Sequence, residues 1–199
     1  MKTNLKRVFV GVLCAASLTL CTNAAFTKTN TYTKGQFKDV KDTAWYEKEV
    51  ASAFELGFMN GTASDVFSPD GNVTVAQGIT MASRVNASYN GKEVTGSGKT
   101  WYDAYVDYAK ANGIITDGQF DDYNRNITRA EMATLFANAV PEKEFAAKND
   151  VKFVPDVNIA ASYAEDILML YKAGVVMGSD AYGTFNPDAD IKRAKQRQL

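Results

Sequence analysis

A chain of 199 residues, 46% hydrophobic and 23% charged with a formal net charge of −1, has the composition of a soluble globular protein of one or two compact units. The near-balanced charge argues against a nucleic-acid partner, which needs a basic face. Histidine is missing altogether, which removes the commonest general base and the commonest transition-metal ligand together.

The first residues read as an export signal. Lys2, Lys6 and Arg7 precede an apolar run from Val8 to Leu20, and Thr22-Asn23-Ala24 offers small residues for cleavage after Ala24. That run falls short of the ~20 residues a spanning helix needs, so no membrane span is expected once residues 1–24 are removed. Both cysteines, Cys14 and Cys21, leave with the signal, so the mature chain must fold by its core without a disulfide. Residues 25–36, AFTKTNTYTKGQ, are expected to be a featureless, disordered lead-in rich in Thr and Lys.

From residue 37 onward the chain repeats itself. Aligning Tyr46, Tyr102 and Tyr163 superposes Val50, Val106 and Ile167, then Ala53, Ala109 and Leu170, then Gly57, Gly113 and Gly174. This spacing marks one face of a helix that ends on a glycine, where a left-handed residue is wanted. Two apolar residues follow each glycine, and a loop comes next, Phe67-Ser-Pro-Asp70 in the first unit and Phe185-Asn-Pro-Asp188 in the third. A second helix is predicted to start at Thr74 and at Thr128, with Lys192 at the matching place in the third unit. The units are assigned to residues 37–90, 91–140 and 153–199, with a charged, nearly featureless connection at 141–152. One helical hairpin leaves a face of each helix wet, so the three are expected to close one core between them.

Thr128 and Glu131 form a predicted capping box, in which the Thr side chain accepts from a first-turn amide and the Glu reaches back to the cap's own N–H. Arg129 between them is less easily explained, because the first helical position lies at the positive end of the macrodipole. A cation there calls for a negative partner.

The opening F-x-D-V (Phe37, Asp39, Val40), the aromatic pair Trp45-Tyr46, the glycine-bounded helix, the F-x-P-D loop and Ile127-Thr-Arg-Ala-Glu131 together resemble the S-layer homology (SLH) domain, over roughly residues 37–195. The resemblance implies a mostly α fold of three helix-loop-helix repeats arranged as a pseudo-threefold helical prism. It further implies grooves between neighbouring repeats that bind acidic, typically pyruvylated, secondary cell-wall polysaccharide, and so anchor a secreted protein in the cell wall or S-layer. On this chain the implied groove residues are Arg129 with its cap partners Thr128 and Glu131, Arg193, Asp39, Asp156, Trp45 and Trp101. Helix-terminal amides beside a guanidinium would hold a carboxylate, while a tryptophan carries the sugar ring. The competing reading makes both tryptophans core residues and pairs Arg129 with a neighbouring Asp. No cofactor and no metal are expected.

The copies are unequal. Unit one has Val75 where unit two has Arg129, so its groove is expected to lack that cation; Arg84 lies nine residues further on, on the opposite side of the helix, and reads as no simple substitute. Unit two lacks F-x-D-V. In unit three Lys192 and Lys195 replace the cap and its partner, which weakens the helix start by ~1 kcal/mol or more, although Arg193 keeps the arginine position. The sequence stops at Leu199, where the other units continue for roughly ten residues, so the last helix is expected to be incomplete. A shortened or frameshifted gene, a longer protein and a partner chain that covers the gap are all open, and the abrupt switch to KQRQL favours the first.

Other functions are less well supported. Asp121-Asp122 and Asp188-x-Asp190 are the only catalytic carboxylate pairs of note, and both lie among turn residues. The oxygen-rich loops around Asp70 and Asp188 lack the spacing of a calcium loop. An assembly role with other envelope proteins and a non-functional, marginally stable remnant of a larger S-layer or exocellular protein are the remaining alternatives.

Overall fold

The computed structural model describes residues 26–194. The export signal and the incomplete last helix, both sequence expectations, lie outside the described residues. Among the described residues there are five α-helices, α1 (Glu47–Glu55), α2 (Val75–Tyr89), α3 (Asp103–Ala111), α4 (Arg129–Ala139) and α5 (Ala164–Ala173), and only isolated bridges of β structure.

The first helix of each unit forms where the sequence periodicity places it. Tyr46, Tyr102 and Tyr163 are the N-caps, and the faces carrying Val50 and Ala53, Val106 and Ala109, and Ile167 and Leu170 are buried. Gly57, Gly113 and Gly174 then take φ values of 71°, 70° and 71°, the left-handed geometry that turns the chain back at little cost without a Cβ. The second helices start on capping boxes, Thr74 with Gln77 and Thr128 with Glu131. α2 lies against α3 and α4, and α4 lies against α5, so each second helix packs on the first helix of the next unit.

The residues just before the second helices meet on a central axis. Isolated bridges join Thr74 to Asn126, Thr128 to Asp190 and Asn72 to Lys192, one link between every pair of units. Ile127 N–H donates to Val73 O at 2.9 Å and Val73 N–H to Ile191 O at 2.8 Å; all three side chains are buried. Asp190 receives hydrogen bonds from Asn72 Nδ2 at 3.0 Å and Asn126 Nδ2 at 2.6 Å. Unit three therefore closes the ring through residues 190–194.

Closure also uses up the amides that open α2 and α4, and those at the matching place in unit three. Val75 N–H donates to Arg125 O, Arg129 N–H to Ala189 O and Arg193 N–H to Gly71 O; the next amides, of Ala76, Ala130 and Ala194, donate to Tyr123 O, Pro187 O and Pro69 O. The loop of unit two thus satisfies the terminus of α2, the loop of unit three that of α4, and the loop of unit one the amides of Arg193 and Ala194. The expected free amides beside Arg129 are occupied by protein carbonyls, which displaces the helix terminus as the seat of a carboxylate.

Two segments read as featureless are ordered. Thr29 and Asn30 N–H both donate to Glu55 O, and Lys148 and Asn149 N–H both donate to Lys172 O. Asn30 Nδ2 caps Phe54 O and Asn149 Nδ2 caps Tyr171 O. Phe26 packs edge-on against Phe58 and Phe145 is buried. The lead-in and the connection are the same device, Phe-x-x-x-Asn, fastening the carbonyl end of α1 and of α5.

Candidate functional site

The phenylalanine loops explain most of the repeated motifs. Asp39 accepts from the amides of Phe67 and Ser68 at 2.8 and 2.7 Å, and Asp156 from those of Phe185 and Asn186, both at 2.6 Å. Ser68 and Asn186 are held at φ 58°, an uncommon conformation for residues with a side chain, and the carboxylate bonds stabilise it. From the other side comes an arginine of the preceding unit. Arg193 Nε donates to Phe67 O at 2.7 Å with the guanidinium 4.7 Å over the Phe67 ring; Arg129 Nε donates to Phe185 O at 2.6 Å and lies 4.6 Å over the Phe185 ring. Each loop is clamped between an aspartate and an arginine.

This geometry gives Arg129 a neutral partner, a carbonyl and an aromatic face, and leaves the residue 3% exposed. Burial lowers the pKa of its guanidinium, and Asp156 and Tyr171 partly offset that. Asp39 and Asp156 point both carboxylate oxygens at backbone amides. Thr128 and Glu131 complete the capping box, and Glu131 in addition takes a two-pronged bond from Arg125 at 2.6 and 2.9 Å. Trp45 and Trp101 are 37% and 59% exposed, which excludes the core reading for both. Each stands edge-on to the following tyrosine.

Two of these residues come together. A cleft of about 380 Å³ is lined by the turn Phe58–Thr62, by Gln77, Thr80, Met81 and Arg84 of α2, by Trp101 and by Arg193. All three units contribute, one to each side. Arg193 also donates from Nη2 to Asn60 O at 2.6 Å, so it is seated by carbonyls. Arg84 Nη2 donates to the Tyr105 hydroxyl at 3.1 Å and its guanidinium lies 5.2 Å over the Tyr105 ring. Neither arginine has an ion-pair partner among the described residues. The cleft therefore presents two positive charges, a tryptophan and the amide of Gln77: the donors and the flat face that an acidic sugar requires.

Arg84 is the residue that the sequence reading set aside as no substitute for the missing cation. It lies opposite Val75 on α2, and that is why it matters: Val75 is wholly buried towards the axis, so the opposite stripe, Gln77, Thr80 or Met81, and Arg84, faces the cleft. Counting from the capping threonine rather than from the arginine position would have found it.

The pattern of the S-layer homology domain matches residues 36–77 and 155–194, which cover the Asp-Val pairs Asp39-Val40 and Asp156-Val157 of the first and third units and run on to Gln77 and to Ala194. Over 170 residues, 82% of this chain, it is 26% identical to an endoglucanase of Bacillus sp. (strain KSM-635), covering 18% of that enzyme. Over 57% of the chain it is 27% identical to the surface-layer 125 kDa protein of Lysinibacillus sphaericus, covering 10% of that protein. The chain thus spans less than a fifth of either relative. The matched segments stand at two corners of the ring, so the chain carries the S-layer homology pattern there, a pattern associated with the bacterial cell envelope.

Proposed function

We propose that the chain anchors non-covalently to the cell wall by binding an acidic, pyruvate-bearing secondary wall polysaccharide in the cleft between α2 and α3. The observation that carries this reading is the convergence of Arg84, Arg193 and Trp101, one from each unit, around a single opening. A ketal-linked pyruvate is a carboxylate on a sugar ring: the carboxylate sits between the two guanidinium groups while the ring rests on Trp101. Weak clefts of this kind hold firmly when many copies are displayed on one surface. Asp39, Asp156 and Arg129 act on this site as supports of the loops that frame the prism. No catalytic step is assigned, since the endoglucanase likeness covers so small a part of that enzyme.

The test is co-sedimentation with purified, protein-free wall glycan. Arg84→Ala and Trp101→Ala are each expected to weaken binding about tenfold, close to 1.4 kcal/mol, with unchanged melting temperature because neither side chain is buried. Glycan from which the ketal pyruvate has been hydrolysed is expected to bind correspondingly less. Full binding by the double variant would sink the assignment. Phe153, Ile159 and Tyr182 of unit three are 67%, 87% and 84% exposed and favour a second reading, contact with other envelope proteins; retention on walls but not on protein-free glycan is its signature.

A further inference from the structure

Among the described residues two interfaces join a second helix to the first helix of the next unit, α2/α3 and α4/α5. Between α2 and α3 stand Arg193, Arg84, Gln77 and Thr80 on one side and Trp101 and Tyr105 on the other. Counting from the capping threonine and from the N-cap tyrosine gives their equivalents between α4 and α5: Val75 for the arginine of the axis, Asn138 for Arg84, Glu131 for Gln77, Ser162 for Trp101 and Asp166 for Tyr105. Only Thr134, for Thr80, is unchanged. Both cations and the tryptophan are gone, and two carboxylates stand in positions that are neutral at the other interface.

The local bonds fix the sign of what remains. Glu131 is neutralised by Arg125, the guanidinium nearest to it. Asn138, exposed on α4, turns its amide to Ile114 O at 3.3 Å. Asp166 accepts from Thr134 Oγ1 at 2.7 Å across the α4/α5 seam, with Glu165 adjacent on the same helix. Burial, and after it the Glu165 charge, push the Asp166 carboxyl up against the pull of Thr134.

We propose that Asp166 makes the α4/α5 interface refuse acidic saccharides, so that of these two interfaces only the α2/α3 cleft takes the wall polymer. This rests on the anchoring role of that cleft. Asp166 is a specificity-determining residue: it excludes like charge, and its removal together with restoration of a cation at residue 138 converts the interface to the binding kind.

Site-resolved fluorescence separates the two claims, because the described chain has only Trp45 and Trp101. Trp45→Phe leaves Trp101 as the reporter for α2/α3; Trp45→Phe/Trp101→Phe/Ser162→Trp places the sole indole at α4/α5, where Ser162 is exposed. Both are titrated with a soluble sugar carrying a ketal-linked pyruvate. Trp101 is expected to respond saturably and the Ser162→Trp reporter to stay silent. Adding Asp166→Asn, which keeps the size of this half-buried side chain and an acceptor for Thr134, and Asn138→Arg at an exposed position is expected to bring at least a tenfold gain in apparent affinity at that reporter. A response there with Asp166 intact overturns the inference, as does continued silence after both changes. A silent Trp101 overturns the anchoring role itself and this inference with it.

Discussion

At the scale of single residues, side chains first read as ligand contacts have a prior duty. Asp39 bonds two amides of a loop whose second residue is left-handed, and bonds to a charged acceptor contribute about 1.5–3 kcal/mol each. Two such bonds sum to about 3–6 kcal/mol, which solvent at the half-exposed carboxylate reduces. Asp39→Ala is therefore expected to cost about 2–4 kcal/mol, read as a lower urea midpoint at unchanged slope, and Asp39→Asn, which keeps one acceptor, to fall between. A variant with native stability that fails to bind glycan would instead make Asp39 a ligand contact. Asp166 is the opposite case. Its folded pKa is raised, so ionisation costs stability, and the cost grows as pH rises from the unfolded pKa through the folded one. Asp166→Asn is accordingly expected to stabilise the chain at pH ~7 and to make no difference near pH ~3, by thermal melts at the two values.

Among the elements, the helices were legible because their signals are local. A tyrosine start, an apolar face and a glycine stop recur three times at fixed spacing, and Thr-x-x-Gln and Thr-x-x-Glu announce α2 and α4. Thr128→Ala removes the acceptor for Glu131 N–H and is expected to cost about 1 kcal/mol, seen as faster hydrogen exchange in the first turn of α4; protection equal to wild type would mean the interunit bonds at Arg129 and Ala130 hold the turn alone. The segments misread as featureless carry no periodicity, since their Phe and Asn act on helix ends distant in sequence, Asn30 on Phe54 and Asn149 on Tyr171. Comparing FTKTN with FAAKN would have exposed the repeat. The groove was half legible: Trp101 and Arg193 came from the motif, but Arg84 required knowing which stripe of α2 faces outward.

For the whole molecule, the departures of unit two form a set. F-x-D-V, the F-x-P-D loop and the axis arginine belong to one clamp made by two units, so an interface that loses its aspartate and its loop has no use for the arginine. Val75 stands where that arginine would be, and the Phe120 ring is covered instead by Arg125 of its own unit at 5.7 Å. Sequence shows these as scattered irregularities; only the ring shows that they meet. The same closure makes stability collective. Ile191 is 5% exposed and accepts at its carbonyl from Val73 N–H, so Ile191→Ala opens a cavity on the axis at a cost of about 2–4 kcal/mol, although it lies near the end of the described chain. If the units stood independently, only unit three would weaken, and the emission of Trp45 in unit one and Trp101 in unit two would melt as in wild type. Closure of the ring through residues 190–194 predicts instead that both tryptophans and the helical circular dichroism shift down together, in one transition.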